Sequence, residues 1–237
     1  MTEPRRIVTL SFDDGFEASC RTVAALYEER GLSACLNIVA TGHESTYIAP
    51  DPWQEGAVRG DFDLWRELRE RGHEVMPHGH RHANLAFLPY AEAVALIDAC
   101  LDRFAAEFSG WNQAGAVFNF PYNLSTPALE SYLRGKVRAF RVMSVDGRNP
   151  LPGPNSVRIE AAAYGPGDCE ADLSARIDGL LKSEGWLVYN THGVDGEGWG
   201  PVSRDFLAST LDRLLEAGVH VLPTGAALAL STDADMT

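Results

Sequence analysis

The sequence predicts an α/β protein whose parallel strands form a barrel. Short apolar runs typical of strands alternate with longer runs of helical periodicity, which is the order expected of β/α units. About seven or eight such units follow one another without a linker, and this favours one complete or incomplete barrel over two small domains. Polar residues follow several of the apolar runs, at the strand ends where barrels place functional groups.

In the first half of the chain, strands and helices alternate in order: strand 7–12, helix 17–30, strand 34–40, helix 62–71, strand 73–76 and helix 90–108. Gly31 ends the first helix, because glycine readily adopts the left-handed backbone that closes a helix. The loop at 41–60 holds Pro50, Pro52 and Trp53. Loops of this length inside a compact domain are usually functional.

The second half continues the alternation, with strand 115–120, helix 126–133, strands 137–145 and 157–163, helix 171–183, strand 186–190, helix 204–217 and strand 219–222. A stretch rich in proline and glycine at 149–154 separates two of these strands and is predicted to be a loop. In a barrel, the carboxyl ends of the strands converge on one mouth. Residues distant in sequence are therefore expected to share a site.

Composition and charge exclude several classes of protein. The apolar and charged fractions, 45% and 22%, are those of an ordinary globular protein. A net charge of −13 disfavours nonspecific binding to nucleic acid or to an anionic membrane surface. No segment has the length of a membrane span, and the N-terminus leads directly into a strand rather than into a signal-peptide core. We therefore expect a cytoplasmic location, with neither nucleic acid nor membrane as a partner.

The four cysteines are far apart and form no C-x-x-C pair; they are Cys20, Cys35, Cys100 and Cys169. Their neighbours are mostly apolar or helical. This pattern is typical of small buried residues in a reducing compartment. We expect inert, unpaired thiols.

An acidic pair, Asp13 and Asp14, follows the first predicted strand and precedes Gly15. Aspartate and glycine after a strand are ordinary turn residues, so this motif alone does not identify a site. A second polar cluster, His78-Gly79-His80-Arg81-His82, follows the third predicted strand. A carboxylate and two imidazoles can hold a catalytic divalent metal and leave positions open for water and substrate.

The spacing of His78 and His82 predicts that both rings lie on one face of a helical turn. His80 would then point elsewhere, and we exclude it from the metal ligands.

These motifs resemble those of the polysaccharide deacetylases with the NodB homology domain, carbohydrate esterase family 4. The family's T-F-D-D-G motif corresponds to residues 11–15 and its H-[ST]-x-x-H motif to residues 78–82. Residues 119–123 match its R-x-P-Y-G motif in part, and residues 187–192 match the late strand that ends in a catalytic histidine. The resemblance covers about 6–225. It implies a single domain, 1–237, folded as a deformed (β/α) barrel of about seven strands.

The resemblance also implies a role for each matched residue. Asp14, His78 and His82 would bind one divalent metal ion, and Asp13 would be the general base. The backbone N–H of Tyr122 would stabilise the oxyanion, and His192 would be the general acid. We expect zinc, although cobalt, nickel or iron would suit the same ligands.

Asn119 stands where many relatives have an arginine that braces the base, and their D-x-x-D-W stretch is absent. Asn119 can hydrogen-bond to Asp13 but cannot lower its pKa by charge. Arg141, on the next predicted strand, could replace the arginine, and Asp146 could orient His192; each could instead be a surface or loop residue.

Three further residues are candidates for contact with substrate or with the catalytic groups. Pro121 follows Asn119 in the third motif. Trp199 lies on a glycine-rich loop just past His192, where its face could stack on a sugar ring or simply anchor the loop. Trp53, on the loop at 41–60, is a weaker candidate of the same kind.

We therefore expect a metal-dependent hydrolase that removes an N-acyl group, most simply N-acetyl, from an amino sugar or a small sugar-containing metabolite. Its partner would be a small-molecule or oligosaccharide substrate. Two alternatives remain open. One is an allantoinase-like hydrolase of cyclic amides or ureides with the same fold, although such relatives often lack one or more metal ligands. The other is a noncatalytic sugar-binding relative.

Overall fold

The computed structural model describes residues 5–54, 56–165 and 167–233. In chain order, the strands are β1 (Arg6–Phe12), β2 (Cys35–Ile38), β3 (Glu74–Pro77), β4 (Val117–Asn119), β5 (Ala139–Met143), β6 (Arg148–Asn149), β7 (Arg158–Ala161), β8 (Gly185–Thr191) and β9 (His220–Val221). The α-helices are α1 (Glu17–Glu28), α2 (Phe62–Glu70), α3 (Tyr90–Glu107), α4 (Pro127–Leu133), α5 (Cys169–Leu181), α6 (Arg204–Glu216) and α7 (Thr224–Asp233).

The strands form two sheets. The larger has the order β3-β2-β1-β8-β6, with β9 also paired to β1, and the smaller has the order β4-β5-β7. Every pair is parallel except β6 with β8. A bridge between Ala162 and Tyr189 joins the end of β7 to β8, and β4 lies beside β3, where the Val117 N–H contacts Met76 Sδ at 3.5 Å. The mixed α/β fold with mainly parallel strands is confirmed.

The core centres on β1 and β8. All seven residues of β8 are buried, as are six of the seven in β1. Central parallel strands are buried on both faces, which is why these segments read as continuous apolar runs. The polar groups among them are satisfied internally, since the Trp186 indole N–H donates to Thr9 Oγ1 at 2.9 Å and Thr9 Oγ1 donates to the Leu222 carbonyl at 2.7 Å.

All four cysteines are buried and unpaired, as the sequence predicts. Burial raises the pKa of each thiol, so the reactive thiolate is disfavoured. Within the described ranges, no helix combines the length and apolar character needed to cross a bilayer. Residues 1–4, on which the expected cytoplasmic location depends in part, lie outside the described residues.

The predicted strands and helices are present with ends shifted by a few residues, but two elements were missed. The short strand β6 overlaps only the start of the stretch at 149–154 that is predicted to be a loop, and it pairs antiparallel with β8. Two residues are too few to show a periodicity. The helix α7 follows the last predicted strand; its alanine- and leucine-rich sequence has no polar stripe to mark a helical face.

A tertiary contact fixes the start of α7. Glu74, on β3, accepts a hydrogen bond from the Gly225 backbone N–H at 2.7 Å. A carboxylate at a helix N-terminus both satisfies a free N–H and complements the helix dipole. We therefore expect Glu74→Ala to lower the free energy of unfolding by about 1–2 kcal/mol, measured by urea denaturation.

Glu70→Ala is the matched control, because Glu70 is exposed at the end of α2. Its effect is expected to stay within about 0.5 kcal/mol. Equal stability of the two variants would show that Glu74 does not hold α7.

Candidate active site

The predicted site residues converge at the carboxyl ends of the strands. Asp13 and Asp14 follow β1, His78 follows β3, and His192 follows β8. Asp13, His78 and His192 line one cavity of about 400 Å³, with Asp14 buried beside them. The cavity wall also contains tryptophan and tyrosine side chains. Parallel strands thus bring together groups that are almost 180 positions apart in the sequence.

The turn after β1 separates the two adjacent carboxylates. Asp13 still belongs to the strand pairing, since its N–H donates to the Thr191 carbonyl at 3.0 Å. Asp14 has a φ of 73° and Gly15 a φ of 72°. A left-handed backbone is uncommon for a residue other than glycine and is found disproportionately at functional sites. Here it lets Asp14 face the histidines while Asp13 faces the second sheet.

Three buried side chains form a potential metal site. Asp14 Oδ1 lies 3.1 Å from His82 Nε2 and 3.5 Å from His78 Nε2. The ligand atoms of these three residues all lie within 4.8 Å of one another. His78 Nδ1 donates to the Asn119 carbonyl at 3.0 Å, which leaves Nε2 to act as a ligand.

The chemistry of these donors fits a divalent cation. Burial lowers the pKa of His78 to about 4 and of His82 to about 3, so both rings are neutral near pH 7, the form that binds metal. Burial raises the pKa of Asp14, and its Oδ1 atom is buried without a hydrogen-bond partner. A cation beside this oxygen would supply the partner that the protein does not.

The predicted helical turn between His78 and His82 is wrong. Residues 78–82 form a loop in which Gly79 has a φ of 81° and His82 a φ of 54°. The two rings nevertheless meet, with centroids 5.1 Å apart. A Cβ atom on Gly79 would lie 2.8 Å from Pro121 Cγ, so the close approach of Pro121 explains the glycine. His80 is not part of the ligand group.

Arg141, on β5, lies fully buried against Asp13. Its Nη1 atom donates to Asp13 Oδ1 at 3.0 Å and its Nη2 atom donates to Asp13 Oδ2, a bidentate pair. Burial alone would raise the pKa of Asp13, but the Arg141 guanidinium, together with the nearby His78 and His192, holds that pKa well below its usual range. Asp13 is therefore an anion near neutral pH.

Two asparagine side chains link Arg141 back to Asp13 in a closed ring of hydrogen bonds. Arg141 Nε donates to Asn123 Oδ1 at 2.9 Å, Asn123 Nδ2 donates to Asn190 Oδ1 at 2.6 Å, and Asn190 Nδ2 donates to Asp13 Oδ2 at 3.2 Å. Sequence reasoning missed both asparagines. The available signal was their position at the end of a strand or just past it: Asn190 lies on β8 and Asn123 shortly after β4.

Asn119 does not make the direct hydrogen bond to Asp13 that the sequence allowed. Asn119 Nδ2 donates to Asn37 Oδ1 at 2.9 Å, and Asn37 Nδ2 donates to Asp13 Oδ1 at 2.8 Å. The Asn119 amide is thus linked to Asp13 through Asn37. The signal for Asn37 was a polar residue inside the apolar strand β2.

His192 lies between two tryptophans. Its ring centroid is 5.4 Å from that of Trp53 and 5.6 Å from that of Trp199, both edge to face. His192 Nδ1 donates to the Trp199 carbonyl at 2.5 Å. This contact fixes the ring and leaves Nε2 for the proton-transfer role that the sequence predicts.

Of the two roles that the sequence left open for Asp146, the structure supports that of a surface residue and not that of a partner for His192. Asp146 is exposed, and its Oδ1 accepts a hydrogen bond from the Arg148 backbone N–H at 3.0 Å. The tight turn at Gly147, with a φ of 67°, takes the chain into β6 and keeps Asp146 away from the cavity. The Trp199 carbonyl occupies the position expected for its carboxylate.

The loop that carries Trp199 is anchored to α1. Glu197 Oε2 accepts hydrogen bonds from the Ser19 backbone N–H, at 2.9 Å, and from the Ser19 hydroxyl. Ser19 Oγ in turn accepts from the Val194 N–H at 3.0 Å. The tryptophan at the cavity wall is therefore held on a fixed loop.

Tyr122 lies at the same cavity, with a φ of 59°. Its ring packs on that of His82, with centroids 4.7 Å apart, and its hydroxyl donates to Asp51 Oδ2 at 2.8 Å. The Asp51 carboxylate, on the loop at 41–60, was not predicted. The role of the Tyr122 backbone N–H as an oxyanion donor stays a prediction.

The fold and the Asp-His-His cluster at its strand ends define the class: the chain belongs to the polysaccharide deacetylase family. The model of that family, described as "Polysaccharide deacetylase", matches residues 1–134, which include Asp13, Asp14, His78 and His82. No curated protein sequence matches the chain.

Several solved structures share the fold at low sequence identity. The Xyl-CE4 domain of a multidomain xylanase from the hindgut metagenome of Trinervitermes trinervoides has a TM-score of 0.61 and 12% identity, over 95% of this chain and 90% of that one. A family 4 carbohydrate esterase from Streptomyces lividans in complex with acetate has a TM-score of 0.59 and 15% identity, over 92% of each chain. A family 4 pseudoenzyme from Bacillus anthracis has a TM-score of 0.62 and 10% identity, over 94% of this chain and 66% of that one.

Proposed function

We propose that this protein is a metal-dependent deacylase that hydrolyses an N-acyl group, most simply N-acetyl, on an amino sugar or a small sugar-containing metabolite. One observation carries the proposal: the buried Asp14-His78-His82 cluster lies directly beside Asp13, an anion held by Arg141. Membership of the deacetylase family supports the reaction class.

Asp14, His78 and His82 would hold one divalent ion, zinc in the first instance, which supplies Lewis-acid activation of the acyl oxygen and of a water molecule. Asp13 is positioned to accept a proton from the water molecule that attacks the carbonyl carbon. Its amide and guanidinium partners fix the carboxylate in place, so little reorganisation is needed.

His192 protonates the departing amine, without which the tetrahedral intermediate would return to substrate. The Trp199 carbonyl holds Nδ1 of His192, so Nε2 is the atom that carries this proton. The backbone N–H of Tyr122 supports the developing oxyanion.

The cavity suits a compact substrate that is neutral or cationic. Its volume of about 400 Å³ lies at the small end of ligand sites, and Trp53, Trp199 and Tyr122 offer aromatic surface to a sugar ring. Among the described residues that line it there is no lysine or arginine, whereas Asp13 and Asp51 contribute carboxylates. A phosphorylated or nucleotide-linked sugar would lack a counter-charge there.

Metal removal tests the proposal. Chelation should reduce acetate release from an N-acetylglucosamine derivative to background, and zinc or cobalt should restore it. Asp14→Asn should resist rescue, because it lacks the carboxylate ligand. Asp146→Asn is the matched control and should keep wild-type activity, since Asp146 is exposed and outside the cavity.

Full activity of a metal-free Asp14→Ala, His78→Ala double variant would rule out the proposed mechanism. A substrate panel separates the alternatives. Turnover of allantoin without acetate release would indicate a ureide hydrolase, and sugar binding without acetate release under any metal would indicate a noncatalytic relative.

A further inference from the structure

One short segment of the loop at 41–60 touches the active site in three places. Asp51 accepts the Tyr122 hydroxyl, and the Trp53 ring packs on His192. Gln54 Nε2 donates to Asp14 Oδ2 at 3.3 Å. The loop therefore contributes to the potential metal site as well as to the cavity wall.

The two carboxylate oxygens of Asp14 have different surroundings, because Gln54 hydrogen-bonds to one of them. The Gln54 side chain is almost fully buried, 1% exposed, so its amide must find partners within the protein. The amide N–H holds Oδ2 of Asp14. The other oxygen, Oδ1, has no hydrogen-bond partner and is the one closest to His82 Nε2, at 3.1 Å.

Arg59 holds the other end of the glutamine. Its Nη2 atom donates to Gln54 Oε1 at 2.6 Å, so the direction of the Gln54 amide is determined by its partners. The guanidinium lies over the rings of Phe16 and Tyr47, 5.1 and 4.7 Å from their centroids. Arg59 is itself 8% exposed, and these contacts restrict its position.

The backbone ties the same loop to the turn that carries Asp14. Arg59 pairs with Phe16 in an antiparallel bridge, and the Gly60 N–H donates to the Gly15 carbonyl at 3.1 Å. Any shift of the loop would therefore move Gln54 and the metal-ligand turn together.

A neutral amide between Arg59 and Asp14 has a chemical advantage. An arginine bonded directly to Asp14 would neutralise the carboxylate and repel a metal cation. Gln54 instead offers a hydrogen bond without a full charge. One oxygen of the Asp14 side chain is thus fixed without a full positive charge bonded to it.

We propose that Gln54, held by Arg59, is a positioning residue for the metal site: it binds Oδ2 of Asp14 and leaves Oδ1 to coordinate the metal. This inference rests on the proposed function, since it requires that Asp14, His78 and His82 bind a divalent ion. Partners of this kind typically change metal affinity by about 10- to 100-fold.

The test is the zinc affinity of Gln54→Met, measured by competition with a chromophoric chelator. We expect binding at least about 10-fold weaker than that of the wild type. The visible spectrum of the cobalt-loaded variant should also change, because it reports the ligand geometry. Gln113→Met is the matched control: Gln113, the other glutamine of the chain, donates to the Lys136 carbonyl at 3.2 Å, away from the cavity. Its zinc affinity should stay within about twofold of wild type.

A double-mutant cycle tests the role of Arg59. If Arg59 acts through Gln54, the Gln54→Met, Arg59→Met double variant binds zinc no more weakly than Gln54→Met alone. Thermal unfolding of the metal-free proteins shows whether each variant is folded. If Gln54→Met is unfolded, the zinc affinity of Gln54→Leu is measured in its place.

Zinc affinity of Gln54→Met within twofold of wild type, with Asp14→Asn unable to bind, would overturn this inference and leave the proposed function intact. Wild-type protein that binds neither zinc nor cobalt would overturn both.

Discussion

Asp13→Asn is expected to lower kcat for acetate release by about 10²- to 10⁴-fold while zinc remains bound. Asparagine has nearly the shape of aspartate, and its one side-chain oxygen can still accept a hydrogen bond from Asn37 or from Asn190. It cannot accept the proton of the attacking water. The measurement is kcat with the zinc content determined on the same sample.

Asp146→Asn serves again as the control, because it makes the same chemical change at an exposed position after β5. Its kcat should equal that of the wild type. A zinc-loaded Asp13→Asn variant that retains more than a tenth of wild-type kcat would exclude Asp13 as the general base.

Arg141→Met is expected to lower the free energy of unfolding by about 3–5 kcal/mol. The substitution leaves Asp13 as a buried carboxylate without its bidentate partner, and it also removes donors to Ser11 and Asn123. Methionine preserves most of the side-chain volume, so the loss reports charge and hydrogen bonding more than packing. Urea denaturation measures it.

The Asp13→Asn, Arg141→Met double variant provides the control for coupling. Two partners of a buried pair should show a combined loss smaller than the sum of the single losses, by about 0.5–3 kcal/mol. Strictly additive losses would mean that Arg141 stabilises the fold independently of Asp13. The surface pair of Arg213 with Asp178 offers a comparison, since Arg213→Met should destabilise the protein far less than Arg141→Met.

Local sequence carried most of the information about the fold. Among the described residues, the other strands and α-helices follow from apolar periodicity, whereas the short strand β6 and the C-terminal helix α7 do not. Their formation depends on partners distant in sequence: β6 pairs with β8, and α7 begins where Glu74 meets Gly225. The two partners in each of these contacts are too far apart in the sequence to be recognised from one local segment.

The site residues likewise fall into two groups, those found from the sequence and those found only from the tertiary structure. The sequence by itself determined the strand-end groups Asp13, Asp14, His78, His82 and His192, because parallel strands bring their carboxyl ends to one mouth. Only the tertiary structure decided what surrounds them. In the folded chain, Arg141 pairs with Asp13, and Asp146 is at the surface. Gln54, on the loop at 41–60, hydrogen-bonds to Asp14. The contacts of Gln54 with Asp14 and of Arg141 with Asp13 join residues 40 and 128 positions apart, and their geometry depends on how strands and loops pack rather than on any local pattern.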